Sequence, residues 1–234
     1  MLSARERSSG AAANGALALP GEFAAAVFDF DGLLVESEPG WSRAEAELLA
    51  RRGVVYTEAD RRATAGRSID QSVLAYATRL GLAPAQLPAL RAELADLARA
   101  EYLSGVESRP GAADLVGALQ RHMRLGLVSN TDRALIDLAL PRTPFAASFD
   151  VVVTRDDVER PKPDPDIYTL ACERLRVRPS EVVAFEDSVP GVLAAKAAGL
   201  TVVAVPQLPG LDLEAADVVI ASLRDLIVGR ERSA

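Results

Sequence analysis

Short runs of apolar residues, most of them rich in valine, recur along the chain and are typical of strands buried on both faces. Helical stretches lie between them, such as Ala112–Gln120, with apolar residues three and four positions apart, and Val192–Ala198, which stops at Gly199. This alternation predicts an α/β fold with a Rossmann-like parallel sheet and helices on both faces. The predicted strands are Ala24–Phe28, Leu125–Val128, Val151–Val153, Val182–Phe185, Val202–Val205 and Val218–Ile220.

One interval, from about Trp41 to Leu103, contains no strand-like run. It is instead made of amphipathic stretches, which predict helices over Ser42–Arg52, Asp70–Leu80 and Leu87–Leu103. We interpret it as a small inserted α-helical domain at 39–105, with the α/β core formed by 22–38 and 106–234. Residues 1–21, rich in Ser, Ala and Gly, predict a flexible leader rather than a signal peptide, because their apolar stretch is short and interrupted.

Composition removes several classes of function. The 234 residues include 26 Lys and Arg against 33 Asp and Glu, a net charge of −7 without a basic cluster, so we expect no nucleic-acid partner. No segment is apolar for long enough to predict a membrane partner. The one cysteine, Cys172, excludes an internal disulfide framework and favours a reducing, cytoplasmic location. The one histidine, His122, excludes a site that needs two.

Acidic residues follow the first predicted strand. Asp29 and Asp31 stand two positions apart, so in an extended chain both carboxylates point the same way. They would repel each other, and a divalent cation would remove most of that penalty. Mg²⁺ is the expected ion because it prefers oxygen ligands. The alternative interpretation is a simple turn at the end of the strand, at Asp31 and Gly32.

Three further groups of polar residues are expected at the same sheet edge, where reactive groups of open α/β sheets collect. Ser129 and Asn130 follow the second strand and could cap a helix or offer donors to an anion. Lys162, one of only two lysines, stands between two prolines, which limits where its ammonium can go. Glu186 and Asp187 follow the fourth strand and repeat the pattern of a strand followed by carboxylates.

Together these residues resemble the four ordered motifs of the haloacid dehalogenase-like (HAD) superfamily, and within it the sugar-phosphatase and β-phosphoglucomutase-like subgroup. The resemblance covers roughly residues 22–225, and the predicted helical insertion matches the small cap of that family. The matching segments are Asp29–Pro39, Ser129–Asn130, Lys162–Pro165 and Phe185–Ser188, followed by Gly191 and Ala197–Gly199.

The resemblance implies a role for each acidic residue. Asp29 resembles the nucleophile that becomes an aspartyl-phosphate, and Asp31 the general acid and base. Mg²⁺ would be held by Asp29, by the backbone carbonyl of Asp31 and by Asp187, with Glu186 as a further ligand or a supporting residue.

The resemblance also implies that Ser129, Asn130 and Lys162 hold the transferring phosphoryl oxygens. Arg67, in the inserted domain, is a candidate contact for a hydroxyl or distal anion of the substrate. It could equally be an arginine on a helix surface.

The residues also distinguish among the reactions of this superfamily. Related dehalogenases lack the acid at the position of Asp31, and phosphonoacetaldehyde hydrolases and β-phosphoglucomutases use a cap lysine, which this cap lacks. The mutases also carry a histidine twelve residues after the nucleophile, where Trp41 stands here. We therefore expect a Mg²⁺-dependent phosphatase of small phosphorylated metabolites (sugar or polyol phosphates), acting as a monomer or weak homodimer. The alternatives are a phosphomutase and a non-catalytic binding protein on the same scaffold.

Overall fold

The computed structural model describes residues 22–207 and 210–226, so the predicted leader lies outside the described residues. All six predicted strands form, each within one or two residues of its expected limits. The strands are β1 (Ala25–Asp29), β2 (Val35–Glu36), β3 (Glu107–Ser108), β4 (Arg124–Ser129), β5 (Val151–Thr154), β6 (Val182–Glu186), β7 (Thr201–Ala204) and β8 (Val218–Val219). The helices are α1 (Glu38–Ala50), α2 (Glu58–Thr64), α3 (Ile69–Leu80), α4 (Leu87–Ser104), α5 (Ala112–Leu119), α6 (Arg133–Ala139), α7 (Asp166–Leu175) and α8 (Val189–Ala197).

The main sheet has six parallel strands in the order β5-β4-β1-β6-β7-β8, which confirms the predicted α/β fold. Residues of β1 alternate between the two faces of the sheet, as its pleat requires. Ala26 and Phe28 join one hydrophobic core, which includes α5 and α6, while Ala25 and Val27 join the other, which includes α7 and α8. Because both faces are covered, β1 is apolar at every position until Asp29.

Helices α1 to α4, here called the cap helices (residues 38–104), are inserted between β2 and β3. Those two strands pair antiparallel, so the chain enters and leaves the cap helices side by side. An ion pair at 2.8 Å between Arg109 and Glu36 joins the two connections.

Sequence analysis missed helix α2 because it has no apolar face. Its residues, EADRRAT, are almost all polar or charged, so hydrophobic periodicity gives no signal. The helix is marked instead by its capping box: the Thr57 side chain accepts from the Asp60 N–H, and the Asp60 carboxylate accepts from the Thr57 N–H.

None of the described helices is both long and apolar enough to cross a membrane.

The aromatic stack beneath the sheet edge anchors the core. Phe28 is fully buried and stacks on Phe185 of the neighbouring strand, with ring centroids 4.7 Å apart. Phe149 packs edge-on against the Phe28 ring, with ring centroids 6.1 Å apart. These contacts fix the ends of β1 and β6, the two strands that carry acidic residues beyond them.

We expect Phe28→Ala to lower the free energy of unfolding by about 3–5 kcal/mol, because the change removes buried area and leaves a cavity. Denaturant unfolding followed by circular dichroism measures the loss. Val55→Ala is the control, since Val55 is 77 % exposed and exposed substitutions alter stability by no more than about 0.5 kcal/mol. A loss below about 1 kcal/mol at Phe28 would contradict the importance of the stack.

Candidate active site

The site is built where neighbouring strand ends meet. Asp29 ends β1 and Glu186 ends β6, and the two strands pair in register at Phe28 and Phe185. Lys162, in the loop between β5 and α7, extends its ammonium between the two carboxylates. Its Nζ lies 2.5 Å from Asp29 Oδ1 and 2.5 Å from Glu186 Oε1. The lysine is only 2 % exposed, so the sequence-predicted catalytic lysine is buried inside the predicted acidic cluster.

Both carboxylate oxygens of Glu186 are fully engaged by the protein. Besides Lys162, Oε1 accepts a hydrogen bond of 2.6 Å from the Tyr168 hydroxyl. Oε2 accepts from the backbone N–H of Asp187 at 3.0 Å and from the Ser188 hydroxyl at 3.1 Å. A Cβ on Gly191 would lie 2.0 Å from this carboxylate, so only glycine lets α8 approach it. These contacts favour the interpretation of Glu186 as a residue that positions Lys162.

The charged groups of the cluster shift one another's pKa values. Burial raises the pKa of Asp29 well above its usual range, and the carboxylates of Glu186 and Asp31 add to this against the opposing effect of Lys162. Burial also disfavours the ionised Glu186, but Lys162 and the hydrogen bonds outweigh it and lower the pKa of that carboxyl. Burial alone would lower the pKa of Lys162, yet the two carboxylates raise it above its ordinary value. The two carboxylates therefore favour the charged form of the lysine.

Asp187 is the residue of the cluster whose carboxylate is not fully hydrogen-bonded. It is 1 % exposed, and its Oδ2 has no hydrogen-bond partner among the described residues. Burial and the charges of Asp29 and Glu186 raise the pKa of its carboxyl. A Cβ on Gly32, which has a φ of +85°, would lie 2.1 Å from this Oδ2, so glycine permits the close approach of the two loops. A buried oxygen without a partner is costly unless something else binds it.

Asp31 lies at the boundary between the core and the cap helices. Its Oδ2 accepts hydrogen bonds from the hydroxyls of Ser129 at 3.0 Å and Thr131 at 2.8 Å. Its Oδ1 accepts from the Tyr102 hydroxyl, which is carried by α4. The indole N–H of Trp41 donates in turn to the Tyr102 hydroxyl at 3.1 Å. The predicted acid and base is therefore oriented by donors from both parts of the molecule.

Asn130 holds the backbone of Lys162. Its Oδ1 accepts from the Lys162 N–H at 2.9 Å, and its Nδ2 donates to the Lys162 carbonyl at 3.2 Å. The same Nδ2 donates to the carbonyl of Gly66 in the cap at 3.1 Å. Helix α6 begins only at Arg133, after Asp132, so Ser129 and Asn130 do not form the helix cap considered as the simple alternative.

A narrow cleft of about 50 Å³ opens onto the site between the core and the cap helices. This volume holds a few water molecules. Asp29, Asp31, Ser129 and Asn130 line its core side, and Arg67 lines it from the cap. Lys162, Glu186 and Asp187 lie behind them. The remaining lining residues are Ser37, Glu38, Trp41, Glu45, Thr64, Ala65, Gly66, Ile69, Ser72, Thr131 and Gln207.

The structure also adds residues that sequence reasoning did not find. Tyr102 and Tyr168 lie on helices, where an isolated aromatic residue reads as core packing, and both are indeed buried. Only the tertiary fold brings their hydroxyls to Asp31 and Glu186. Thr131 is the one added residue that the sequence itself indicates, because it directly follows the predicted Ser129 and Asn130.

The sequence model of the haloacid dehalogenase-like hydrolases matches residues 23–199. The chain belongs to this family. Hydrolases of the family generally use a divalent metal ion.

Curated relatives narrow the activity within the family. The chain is 36 % identical over 176 residues to validoxylamine A 7'-phosphate phosphatase of Streptomyces hygroscopicus subsp. limoneus, covering 75 % of this chain and 82 % of that one. It is 32 % identical to hexitol phosphatase B of Escherichia coli (strain K12), covering 81 % and 86 %. This member of the family is therefore a phosphoric monoester hydrolase, a phosphatase of small phosphorylated metabolites.

Solved structures agree with the fold. The crystal structure of CbbY from Rhodobacter sphaeroides in complex with phosphate superposes with a TM-score of 0.74 at 30 % identity, covering 86 % of this chain and 95 % of that chain.

We expect Tyr102→Phe to lower kcat roughly tenfold or more, because a hydrogen bond to a charged group contributes about 1.5–3 kcal/mol. The change keeps the buried ring but removes the donor to Asp31 and the acceptor for Trp41. Steady-state kinetics with a small phosphate monoester measures the effect, and thermal unfolding controls for folding. An unchanged kcat in a folded variant would show that the hydroxyl does not orient Asp31.

Proposed function

We propose that this phosphatase hydrolyses sugar or polyol phosphates with Mg²⁺, through an aspartyl-phosphate on Asp29. The observation that carries the proposal is the buried contact of Lys162 Nζ with Asp29 and Glu186, at 2.5 Å to each, beside the unpartnered Asp187. A fixed cation next to a cleft-lining carboxylate suits the binding of a phosphate dianion, because it neutralises charge that gathers during transfer.

The acidic residues fit a divalent cation. Asp29 and Asp187 are buried carboxyl groups whose pKa values are raised, chiefly by burial, and the Oδ2 of Asp187 has no partner among the described residues. Across residues 22–207 and 210–226, no three His, Cys, Asp or Glu side chains converge as a complete metal-binding group. Two carboxylates do not fill the shell of the ion. We therefore assign the ion to Asp29 and Asp187 together with the backbone carbonyl of Asp31, and water completes the shell. Bound there, Mg²⁺ would offset the negative charge of the phosphate.

The first step uses Asp29 and Asp31. A carboxylate oxygen of Asp29 attacks phosphorus, a new P–O bond forms, and the bond to the substrate alkoxide breaks. Asp31, in its protonated form, gives its proton to the leaving alkoxide. Lys162 holds Asp29 Oδ1, which leaves the rest of that side chain directed to the cleft that it lines.

The second step returns the enzyme to its starting state. Asp31, now ionised, takes a proton from water as the water oxygen attacks phosphorus, and the bond to Asp29 breaks. Inorganic phosphate then leaves, and the Asp29 carboxylate is restored. The donors around Asp31 from Ser129, Thr131 and Tyr102 hold the carboxylate in one place for both proton transfers.

We expect the loop that carries Ser129 and Asn130 to contribute to phosphate binding. Their side chains already hold Asp31 and Lys162, so we assign backbone N–H groups of this loop to the transferring oxygens. Arg67 lines the cleft from the cap side and is exposed, which keeps it as a candidate contact for the distant part of the substrate.

A phosphomutase is the second candidate. Structures named as β-phosphoglucomutases share the fold, including one from Clostridium difficile with a TM-score of 0.78 at 20 % identity. Two features favour the phosphatase: the two lysines of the chain, Lys162 and Lys196, lie outside the cap, and Trp41 lines the cleft at the position where the mutases carry a histidine. Release of phosphate without accumulation of a bisphosphate separates the two activities.

We expect Asp29→Asn to abolish turnover, with kcat reduced at least about 10³-fold, because the amide is not a nucleophile. Phosphate release from a hexitol phosphate measures turnover. Acid-stable labelling of the wild type with a ³²P-labelled substrate, in a rapid quench, measures the phosphorylated intermediate. Asp96→Asn, an exposed change on α4, is the matched control. Label retained in a folded Asp29→Asn enzyme would contradict the role of nucleophile.

We expect Mg²⁺ to raise the melting temperature of the wild type, and Asp187→Asn to lose most of that gain, because a cation that binds only the folded state stabilises it. Thermal unfolding with EDTA and then with excess Mg²⁺ provides the comparison, independently of activity. Asp96→Asn should respond like the wild type. An undiminished Mg²⁺ response in Asp187→Asn would remove this residue from the metal site.

A further inference from the structure

The cap contacts the loop that carries Lys162 through a residue that the proposed chemistry does not use. Gln71 lies in the first turn of α3, and its Nε2 donates a hydrogen bond of 3.1 Å to the backbone carbonyl of Lys162, 91 residues away in the sequence. The same carbonyl accepts from Asn130 Nδ2 at 3.2 Å. One of these donors therefore belongs to the core and the other to the cap.

Gln71 lies outside the catalytic cleft. The described residues that line the cleft do not include it, and it lines instead a separate groove of about 460 Å³, together with Pro163 and Ser188 of the core. Any effect of Gln71 on the reaction must therefore reach the substrate through the loop that it holds.

The turn that carries Gln71 is ordered for this contact. Its Oε1 accepts from the Ser68 N–H at 2.9 Å, and the Ser68 hydroxyl accepts from the Gln71 N–H, which completes a capping box at the start of α3. Because Oε1 is engaged in this way, the amide group has a fixed orientation, with its Nε2 directed to the Lys162 carbonyl. A side chain that its own helix already orders loses little conformational entropy when it makes a second contact.

Ion pairs between the cap and the core hold the same turn in place. Asp70, the neighbour of Gln71, pairs with Arg155 of the core at 2.5 Å and with Arg91 of α4 at 2.7 Å. Arg91 also pairs with Asp132, which follows β4 in the core, at 2.7 Å. The four charged side chains are between 14 % and 36 % exposed, so solvent screens them less than fully exposed pairs. The alternating charges therefore fix the position of this turn when the cap is closed.

We propose that Gln71 is a positioning residue for Lys162, through which the closed cap holds the lysine in place. The inference rests on the proposed function, because it requires that Lys162 neutralises charge during transfer of the phosphoryl group. The carbonyl that Gln71 binds belongs to the residue whose Nζ contacts Asp29 and Glu186 at 2.5 Å each. Without the amide from the cap, the backbone from which this side chain extends has more freedom to move. A displacement of about 1 Å in a catalytic group can lower the rate about 10²-fold.

The consequence is a link between closure of the cap and the chemistry. Opening of the cap would withdraw Gln71 from Lys162 and leave only the donor from Asn130. The phosphate site is therefore fully assembled only while the cap excludes bulk water. Binding of a substrate, which needs an open cap, is thereby separated from the transfer step, which needs a closed one.

The test compares two glutamines of the cap that make the same local hydrogen bond. Gln86, exposed just before α4, accepts from the Ala83 N–H at 2.9 Å, as Gln71 accepts from Ser68. Glutamate at either position keeps an acceptor for the backbone N–H but, when ionised, has no donor. Gln71→Glu therefore removes the bond to Lys162 and keeps the capping box, whereas Gln86→Glu makes the same chemical change away from the lysine loop.

We expect Gln71→Glu to lower kcat at least about fivefold on a hexitol phosphate with Mg²⁺, because it removes a hydrogen bond that holds the lysine. KM should stay within about twofold, since an interaction that matters in the transition state is lost from kcat. Gln71→Met, which adds no charge to the groove that Arg67 also lines, should lower kcat in the same direction. Gln86→Glu and Gln86→Met should keep the wild-type kcat. Thermal unfolding establishes that each variant is folded.

Folded Gln71→Glu and Gln71→Met enzymes that both keep the wild-type kcat would overturn the inference. An equal loss in Gln86→Glu would also overturn it, because the effect would then belong to helix capping. A raised KM with unchanged kcat would do the same, since it would make Gln71 a determinant of substrate binding. If the wild type with Mg²⁺ hydrolyses neither para-nitrophenyl phosphate nor a hexitol phosphate, the proposed function itself fails. An active wild type with no effect of Gln71 removes the inference alone.

Discussion

The burial of one ammonium among several carboxylates is the constraint on which the site depends. Lys162 touches Asp29 and Glu186 at 2.5 Å each, while Asp187 is buried beside them with an unpartnered oxygen. One cation does not balance three acids, and burying unbalanced charge is costly. The pKa values of Asp29 and Asp187 are raised, first by burial and then by their acidic neighbours. The fold thus maintains a region that a further cation and a phosphate dianion together would stabilise.

The rest of the structure keeps that arrangement in place. The parallel sheet brings the ends of β1 and β6 side by side, and the stacked rings of Phe28 and Phe185 fix them. The lysine is held at both ends: Asn130 binds its backbone, and the ring of Tyr168 lies under its ammonium, with the centroid at 5.2 Å. Geometry set in advance in this way removes the reorganisation that would otherwise oppose transfer of the phosphoryl group.

Sequence reasoning found the parts of this site that follow from chain direction. A strand buried on both faces must be apolar, so the first polar residue after it marks the sheet edge, and this rule located Asp29, Ser129 and Glu186. It could not find Tyr102 or Tyr168, because each lies on a helix whose pattern records only which face is buried. Their roles arise from contacts across 71 and 18 residues of sequence, which tertiary packing alone determines.

The cap helices do more than cover the cleft, because they complete the environment of Asp31. Its carboxylate accepts from Ser129 and Thr131 of the core and from Tyr102 of α4, which Trp41 of α1 supports in turn. Any movement of the cap away from the core would break the contact with Tyr102 and the bond from Asn130 to Gly66. That second bond comes from the same amide that holds Lys162. Closure over a substrate therefore orders the proposed acid and base and the lysine loop together.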